Sequence, residues 1–463
     1  MIFYYTLNFD IILLKKEGMN MSICKYRAFE VLEKISFERI AGTDEEFKAA
    51  EMIAEECLKV GVDVTIEDFE IDSPIVHYAE FKVTKPFEQN IHCIGIGRSG
   101  NTPDEGISGP LCYIENGLDA NLLDVKGKIV LVTGGAPNLM EKLQKAGAIG
   151  YISTHGSIFD PEEMIPELRT RNAFKKPGDE SNFPGVVIHI SDAQKLLRMN
   201  PEEVTIVLKQ DGDRKATSHN VVATIEGTEL KDEIITFSAH YDSVIYSTGA
   251  WDNGTGSVTI LELMHYFNEN KPKRTVKFVW CGSEEIGLVG SRAYCEKHKD
   301  EMAKTLFNMN VDMTGTLLGF DVAVCACDES VAKYIDFFGK IIGFPISTKV
   351  DTYSSDSTTF AANGVPALTF ARLAPRGGAE IHSRHDVIDH LDPDKFIQTV
   401  EFWAKCSETL INSKVFPVSR EFPKEIQDKL NAMKARHEEM EKAKKALAEK
   451  KEAEAKEEKK EEK

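Results

Sequence analysis

The stretch that most constrains this chain is residues 240–256, which reads HYDSVIYSTGAWDNGTG. It follows residues 234–239, whose apolar, β-branched character predicts a buried strand. His240 therefore lies at the carboxyl end of that strand, and Asp242 shares its face if the extended path continues. A metal-bound imidazole commonly donates its second ring N–H to a carboxylate, and the His-x-Asp spacing suits that pairing. Asp252 follows on a glycine-flanked loop, where the backbone can approach a ligand closely.

Length, charge and hydropathy limit the classes of protein that fit. The 463 residues are enough for two or three domains with at least one sizeable core. A formal net charge of −19 argues against nucleic acid or an anionic membrane as the main partner. Residues 1–14 are apolar, but Asp10 interrupts them and neither a basic segment nor a cleavage site flanks them, so they do not predict a signal peptide. Met19 and Met21 are alternative starts, and no other apolar run reaches the roughly 18 residues of a membrane span.

Two further features carry no function of their own. The nine cysteines are an odd number without the spacing of a disulfide framework, and Cys325 and Cys327 are too close together for a redox C-x-x-C pair. Reduced, buried thiols fit this pattern and indicate a cytoplasmic protein. Residues 95–100 match the dinucleotide-binding pattern G-x-G-x-x-G, but they lead into Asn-Thr-Pro-Asp rather than a helix, which argues against that function.

The order of the predicted elements divides the chain into four segments. An N-terminal extension, residues 1–24, precedes an α/β domain that comprises residues 25–79 and 213–420. Residues 80–212 are an insertion with short strands and many turns, and residues 421–463 are a charged helical tail. Apolar residues in the tail recur at a spacing of three or four, so the tail is either a solvated helix or an element of self-association.

The α/β domain is expected to form a mostly parallel sheet with helices on both faces, because its strands and helices alternate. The strands are predicted near 234–239, 275–281, 306–311 and 366–371, and the helices near 254–268, 329–342 and 394–412. Ahead of the insertion, Thr43 and Glu46 have the spacing of a capping box at the start of a helix over 44–58.

Acidic residues and a histidine follow three more of these strands. Glu284 and Glu285 come after the second strand, Asp312 comes directly after the third, and His382 follows the fourth. The carboxyl ends of parallel strands meet at one edge, where open α/β folds bind their ligands. These side chains are therefore expected to converge with those of the 240–256 stretch.

Asp252, Glu285 and Asp312 would repel one another as bare anions in one cluster. Two divalent metal ions remove the repulsion, because three carboxylates and a hydroxide balance four positive charges while the histidines stay neutral. Mixed histidine and carboxylate ligands suit zinc, which such sites hold in pairs about 3.5–4 Å apart. Asp252 is expected to bridge the two ions, and Glu284 is left free to take a proton from the attacking water. The remaining ligands, which spacing does not assign to one ion or the other, are His240, Glu285, Asp312 and His382.

The motifs H-Y-D, G-A-W-D-N-G-T-G, S-E-E-I-G-L-V-G-S, N-V-D-M and I-H-S-R-H-D occur in this order. Together they closely resemble the co-catalytic di-zinc aminopeptidase family, which includes bacterial leucyl aminopeptidases, aminopeptidase Y and glutamate carboxypeptidases. The likeness covers about residues 215–415 and the N-terminal helix. It implies a zinc-exopeptidase fold, two zinc ions on the five ligands named above, Glu284 as general base and Asp242 as the support of His240.

The insertion resembles a protease-associated domain, a small lid-like module found in several peptidases. Residues 125–132, a helix that ends near Lys145 and residues 149–153 read as one β-α-β unit. The resemblance implies a small domain rich in β-strand.

Two points of the resemblance stay open. His385 competes with His382 for the last ligand position, and we favour His382 because Asp386 follows it at the spacing of the family motif H-T-P-x-D. Many members have a tyrosine just before that ligand to stabilise the oxyanion, whereas this chain has Ile381. The second zinc, Arg372, Arg376 or Tyr353 is expected to take that role, and the sequence does not choose among them. The candidate substrate-binding residues are Tyr353, Asp356, Arg372 and Arg376.

The expected activity is that of a zinc-dependent aminopeptidase that hydrolyses the N-terminal peptide bond of short peptides. A carboxypeptidase of the same family is the first alternative, since Arg372, Arg376 and Arg384 provide cations for a C-terminal carboxylate. Two different classes of protein are also compatible with this fold, namely a single-zinc glutaminyl cyclase and a binding protein without metals. The complete set of five ligands argues against both classes.

Overall fold

The computed structural model describes residues 23–134, 139–160, 162, 182–212, 214–439, 442 and 446. The chain forms two compact units, the described parts of Met1–Ile71 with Thr217–Asn431 and of Asp72–Ala216 with Ala432–Lys463. We call the first the large unit and the segment Asp72–Ala216 the inserted unit. The inserted unit is longer than the expected insertion at 80–212, because the strand Ile75–Lys85 pairs within it along Glu203–Asp211.

The described residues contain seventeen strands, numbered in chain order. They are β1 Asp63–Asp72, β2 Ile75–Lys85, β3 Gln89–Ile91, β4 Cys93–Gly95, β5 Ile107–Gly109, β6 Leu111–Tyr113, β7 Ile129–Leu131, β8 Gly150–His155, β9 Gly185–His189, β10 Glu203–Asp211, β11 Lys215–Ile225, β12 Leu230–His240, β13 Arg274–Cys281, β14 Thr305–Val311, β15 Phe320–Ala326, β16 Ile346–Val350 and β17 Ala367–Leu373.

The α-helices are numbered in the same way. They are α1 Lys25–Ile35, α2 Asp44–Lys59, α3 Leu139–Lys145, α4 Ile190–Met199, α5 Gly256–Glu269, α6 Val289–Lys297, α7 Lys299–Met302, α8 Glu329–Ile342, α9 Asp356–Ala362 and α10 Pro393–Ile411. A further helical segment covers residues 424–439.

An eight-stranded sheet forms the centre of the large unit, in the order β1-β11-β13-β12-β14-β17-β15-β16. The pairs β12/β13, β12/β14, β14/β17 and β15/β16 are parallel. Two pairs, β11/β13 and β15/β17, are antiparallel. The expectation of a mostly parallel sheet is therefore confirmed, and the carboxyl ends of β12, β13, β14 and β17 share one edge.

Helices cover both faces of this sheet. On one face α1, α2, α5 and α10 enclose the larger core, to which Phe278 and Trp280 of β13 contribute. On the other face α6, α9 and the start of the tail enclose a smaller core, to which Val279 and Cys281 contribute. This alternation follows from the two-residue period of a strand. All eight residues of β13 are buried, as expected for a strand covered on both sides.

The described residues of the inserted unit form two sheets. One has four strands in the order β3-β2-β10-β5, and the other has five in the order β4-β9-β8-β7-β6. Strands β7 and β8 are parallel and are joined through α3, which is the β-α-β unit that the sequence predicted. The identification of this unit as a protease-associated domain stays a prediction.

The loop between α1 and α2 departs from the predicted capping box. Glu46 N–H donates to Thr43 Oγ1 at 3.3 Å, as expected. The Glu46 carboxylate, however, accepts from Gly42 N–H at 2.6 Å and from the Ser218 hydroxyl at 2.8 Å. Glu46 therefore connects the start of α2 to β11.

The charged tail begins as part of the large unit. Its residues Ile426 and Leu430 are each 2% exposed and pack into the core beside α6 and α9. The Lys429 ammonium lies 2.8 Å from the Asp351 carboxylate. These two apolar residues are thus unavailable for a coiled coil between chains. Met440 and Leu447, which complete the expected seam, lie outside the described residues, and self-association through the tail stays a prediction.

Two predictions from the sequence concern membrane-spanning segments and the state of the cysteines. None of the described helices is both long and apolar enough to span a membrane. All nine cysteines are free thiols, and six of them are buried. Burial raises the pKa of Cys57 and of Cys406 to about 12, so these thiols stay protonated and unreactive near neutral pH.

Leu430→Ala should destabilise the large unit, because it leaves a cavity in the core beside α6 and α9. The expected loss is about 2–5 kcal/mol of unfolding free energy, as for other buried leucines. Urea denaturation followed by circular dichroism measures it. The exposed Lys434 on the same helix provides the control variant Lys434→Ala, which should unfold like the wild type. Equal midpoints for both variants would mean that the tail does not pack on the unit.

Candidate active site

The predicted site residues converge at the edge of the large sheet. His240 is the last residue of β12 and pairs in register with Cys281, the last residue of β13. Glu284 and Glu285 follow β13 after a short turn, and Asp312 follows β14 directly. The parallel arrangement of these adjacent strands brings their carboxyl ends together, as the spacing of the motifs predicted.

Five side chains form two groups that share Asp252. In the first group, His240 Nε2 lies 3.1 Å from Asp252 Oδ1 and 3.6 Å from Asp312 Oδ1. In the second, His382 Nε2 lies 3.2 Å from Asp252 Oδ2 and 3.1 Å from Glu285 Oε2. Within each group the potential ligand atoms all lie within 4.8 Å of one another. The two oxygens of the Asp252 carboxylate thus face different groups. The spacing of the motifs did not predict which ligands lie together in each group.

The electrostatics of this cluster fit a bound cation. Burial and the charge of Asp252 raise the pKa of Glu285 to about 7. Hydrogen bonds with Asp252 and then Glu285 raise the pKa of His382 to about 11. Buried oxygens of Glu285 and Asp312 have no hydrogen-bond partner within the described parts of the chain. Orphaned acceptors beside imidazole nitrogens are a suitable donor set for a metal ion such as zinc.

Asp242 supports the cluster in two ways. Its carboxylate accepts the backbone N–H groups of Glu284 at 3.0 Å and of Glu285 at 3.1 Å. Its Oδ1 also lies 3.4 Å from His240 Nδ1, the ring nitrogen that faces away from Asp252. The predicted pairing with His240 is present, and the bonds to the following loop are an addition that spacing did not reveal.

Asp386 holds the loop that carries Asp252. Its carboxylate accepts the backbone N–H of Trp251 at 2.7 Å and that of Asp252 at 3.1 Å. The sequence pointed to Asp386 only through its distance from His382. The contact joins the loop after β17 to the glycine-rich loop after β12, and only the fold brings them together.

Arg39 is a second positioning residue that the sequence did not reveal. It is fully buried, and its guanidinium donates to the carbonyl oxygens of Tyr241 at 2.6 Å, Thr248 at 2.6 Å and Gly249 at 2.9 Å. Burial lowers its pKa to about 10, against the effect of Asp386 and other carboxylates, so it stays charged at neutral pH. A permanent cation therefore lies behind the acidic cluster. Nothing near position 39 in the sequence signals this role.

Glu284 lies beside the cluster without joining either group. Within the part of the chain that the structure describes, no donor is bonded to its carboxylate, while its backbone N–H is held by Asp242. Burial and neighbouring carboxylates raise its pKa well above the usual range for glutamate, although His240 opposes the shift. A carboxyl group in such surroundings is suited to proton transfer.

The four candidate substrate-binding residues differ in position. Tyr353 is half-buried and experiences the charges of Asp312, Asp252 and Glu284. Asp356 is buried at the start of α9, and burial raises its pKa to about 6.

The two arginines are not held in the cluster. Arg372 forms a buried ion pair with Asp321 and donates to the Thr316 carbonyl at 2.7 Å. It lines a separate cavity of about 740 Å³ between α8 and α10. Arg376 is exposed. For the last ligand position, His382 belongs to the second group and His385 belongs to neither among the described residues.

Comparison with known proteins finds similarity to a family of peptidases. The model of peptidase family M28 matches residues 220–407. Aminopeptidase YwaD of Bacillus subtilis is 27% identical over 386 residues, which is 81% of each chain. Carboxypeptidase Q of Bos taurus is 25% identical over 345 residues, 69% of this chain and 71% of that protein.

A solved structure shares the fold. The zinc aminopeptidase BSAP of Bacillus subtilis superposes with a TM-score of 0.70 at 24% identity, over 87% of this chain and 99% of that one. Residues 220–407 carry both groups of side chains described above together with Glu284. This segment of the chain is therefore similar to peptidase family M28, and the chain shares the fold of a solved zinc aminopeptidase.

Proposed function

We propose that this protein is a zinc-dependent aminopeptidase that hydrolyses the N-terminal peptide bond of peptides, with Glu284 as general base. The observation that carries the proposal is the shared Asp252, whose two oxygens face two separate groups of ligand atoms with an unengaged glutamate beside them. The names of two similar proteins, an aminopeptidase and a zinc aminopeptidase, support the same activity.

The proposed cofactor is a pair of zinc ions. His240, Asp252 and Asp312 would hold one, and Asp252, Glu285 and His382 would hold the other. Zinc supplies Lewis acidity, which polarises a carbonyl group and lowers the pKa of bound water to about 7.

The residues of the chain itself move the proton. The Glu284 carboxylate accepts it from the attacking water and then delivers it to the leaving amine, a role worth roughly 10²–10⁴ in rate. Asp242 fixes the backbone N–H groups of Glu284 and Glu285, so the base and its neighbouring ligand are held by one side chain. One glutamate therefore points to the substrate while the next belongs to the metal site.

Tyr353 is the proposed hydrogen-bond donor to the oxyanion. Many members of the resembling family use a tyrosine at the position that Ile381 occupies here. The Tyr353 ring is half-buried near Glu284, and within the described residues its hydroxyl has no hydrogen-bond partner. Burial raises its pKa, so the hydroxyl stays protonated and can donate. Arg372 is already engaged by Asp321.

A carboxypeptidase is the second candidate, because several similar proteins are named carboxypeptidase Q. Such an enzyme needs cations that converge on a C-terminal carboxylate. Arg372 is committed to Asp321, while Arg376 and Arg384 are exposed rather than held in the cluster, which favours the aminopeptidase. A panel of peptides with free or acetylated N-termini, each with a free or amidated C-terminus, tests the choice. Acetylation should abolish cleavage and amidation should not; the reverse result would identify a carboxypeptidase.

Three further assignments belong to this proposal. The inserted unit is a protease-associated domain, for which its β-α-β unit is the supporting feature. A cytoplasmic location is supported by nine free cysteines. The tail after Asn431 is the segment available for self-association.

Glu284→Gln and Glu285→Gln should have opposite effects although the residues are neighbours. Glutamine cannot accept a proton, so Glu284→Gln should keep its zinc and its KM while kcat falls by about 10²–10⁴. Glu285→Gln should lose zinc first, and excess zinc should partly restore its activity. Zinc content and kinetics are measured side by side. Loss of zinc from the first variant but not the second would reverse the two roles.

Asp252→Asn should weaken metal binding, because a neutral amide is a poor bridge between two cations. Dialysis against a weak chelator followed by elemental analysis should find less zinc per chain than in the wild type. Asp321→Asn, which alters a buried aspartate outside the ligand groups, is the matched control and should keep its zinc. Full zinc retention in Asp252→Asn is incompatible with a bridging role.

Tyr353→Phe should lower kcat by about 10²–10³, the usual effect of removing one oxyanion donor. KM and zinc content should change little, since the ring remains and no ligand is touched. Tyr334→Phe is the control, because the Tyr334 hydroxyl donates to the Cys406 carbonyl away from the ligands. A wild-type kcat for Tyr353→Phe would assign the oxyanion to another group.

A further inference from the structure

We propose that Glu46 is a positioning residue for the general base: its buried carboxylate holds the backbone of Ser283 and so sets the direction from which Glu284 faces the substrate. The inference rests on the proposed role of Glu284. It assigns a part in the reaction to a side chain on α2, 238 positions before the base in the sequence.

Within the described residues, the Glu46 carboxylate accepts hydrogen bonds from Gly42, Ser218 and Ser283. Its Oε1 accepts the backbone N–H of Ser283 at 3.1 Å and the hydroxyl of Ser218 at 2.8 Å. Its Oε2 accepts the backbone N–H of Gly42 at 2.6 Å. The Ser283 and Ser218 hydroxyls are also bonded to each other at 2.7 Å. Glu46 is fully buried, so water does not compete for these bonds.

Ser283 needs such support because its backbone lies in the left-handed region, with φ at 58°. A non-glycine residue adopts that conformation at a cost, and it persists where surrounding contacts over-determine it. Ser283 immediately precedes Glu284. A relaxation of its backbone would therefore reorient the base directly.

Glu46 is one of three side chains that fix this turn. Asn220 accepts the N–H of Gly282 at 3.2 Å, and Asp242 accepts those of Glu284 and Glu285. Together with the bond from Ser283 to Glu46, the backbone N–H groups of four consecutive residues are bonded to side chains rather than to a neighbouring strand. The turn is also tightly enclosed, since a Cβ on Gly282 would lie 2.8 Å from Glu46 Oε1.

Glu285, the proposed metal ligand, is held more firmly than Glu284, the proposed base. Asp242 holds both glutamates, and Glu285 is held again through its side chain in the second ligand group. Among the described residues, Glu284 has no such second anchor. Loss of Glu46 should therefore disturb the base more than the metal site. A misplacement of about 1 Å can cost about 10² in rate.

The test compares two buried glutamates. Glu262 on α5 is also fully buried and accepts the backbone N–H of Cys24 at 2.7 Å and the Arg27 guanidinium at 2.5 Å. Glu46→Gln and Glu262→Gln each place an amide group beside donors, so both should lower the melting temperature. At a temperature where both variants are folded, kcat should fall about tenfold for Glu46→Gln only. KM and zinc content should stay within about twofold of the wild type.

Glu46→Ala removes every contact and should lower kcat further, by about 10–100-fold. Combined with Glu284→Gln, the same change should cause no additional fall, because a residue that acts through the base has nothing to position once the base is gone. A purely structural role would make the two losses multiply.

Each outcome has a separate meaning. A wild-type kcat for Glu46→Ala, or an equal loss for Glu262→Gln, overturns the inference. Multiplying losses in the double variant overturn it as well. Failure of the proposed function is recognised independently, because the wild type would then not cleave peptides or Glu284→Gln would retain full activity.

Discussion

The arrangement of this site depends on the neutralisation of several carboxylates gathered in one buried place. Asp252, Glu285 and Asp312 contribute oxygens to two adjoining groups of potential ligand atoms. Like charges at this separation are unfavourable unless cations lie among them. The protein itself contributes the positive charge of Arg39, which stays behind the cluster. The positive charge that is still needed matches divalent metal ions, which are the proposed cofactor of the site.

A second constraint acts on the backbone of the loops that carry these residues. The key side chains of the segments after β12 and β13 lie in loops rather than in strands. The backbone N–H groups of these loops are therefore bound by side chains. Asp386 bonds the amides of Trp251 and Asp252, and Asp242 bonds those of the two glutamates. Buried charged acceptors form strong bonds to backbone N–H groups. The loops are thereby held in place, as catalytic geometry requires.

The sheet order explains why one segment of the chain carries all of the grouped ligands. β12 lies between β13 and β14, and β14 lies beside β17, so four carboxyl ends are adjacent along one edge. All of these strands lie within residues 220–407, the part that matches peptidase family M28. The described residues of the inserted unit and of the tail contribute none of the grouped ligands.

The sequence alone determined the mostly parallel sheet, the five grouped side chains and the free glutamate beside them. Each of these residues follows a strand of recognisable hydrophobic pattern, and the carboxyl ends of parallel strands meet by geometry. The tertiary structure decided which ligand lies with which, because Asp252 turns one oxygen to each group. It also brought in Arg39 and Glu46, which lie in the helical region before the insertion and bond to loops 210 and 237 residues later. Such contacts follow no spacing rule, since they arise only where separate elements pack and their buried polar groups must find partners.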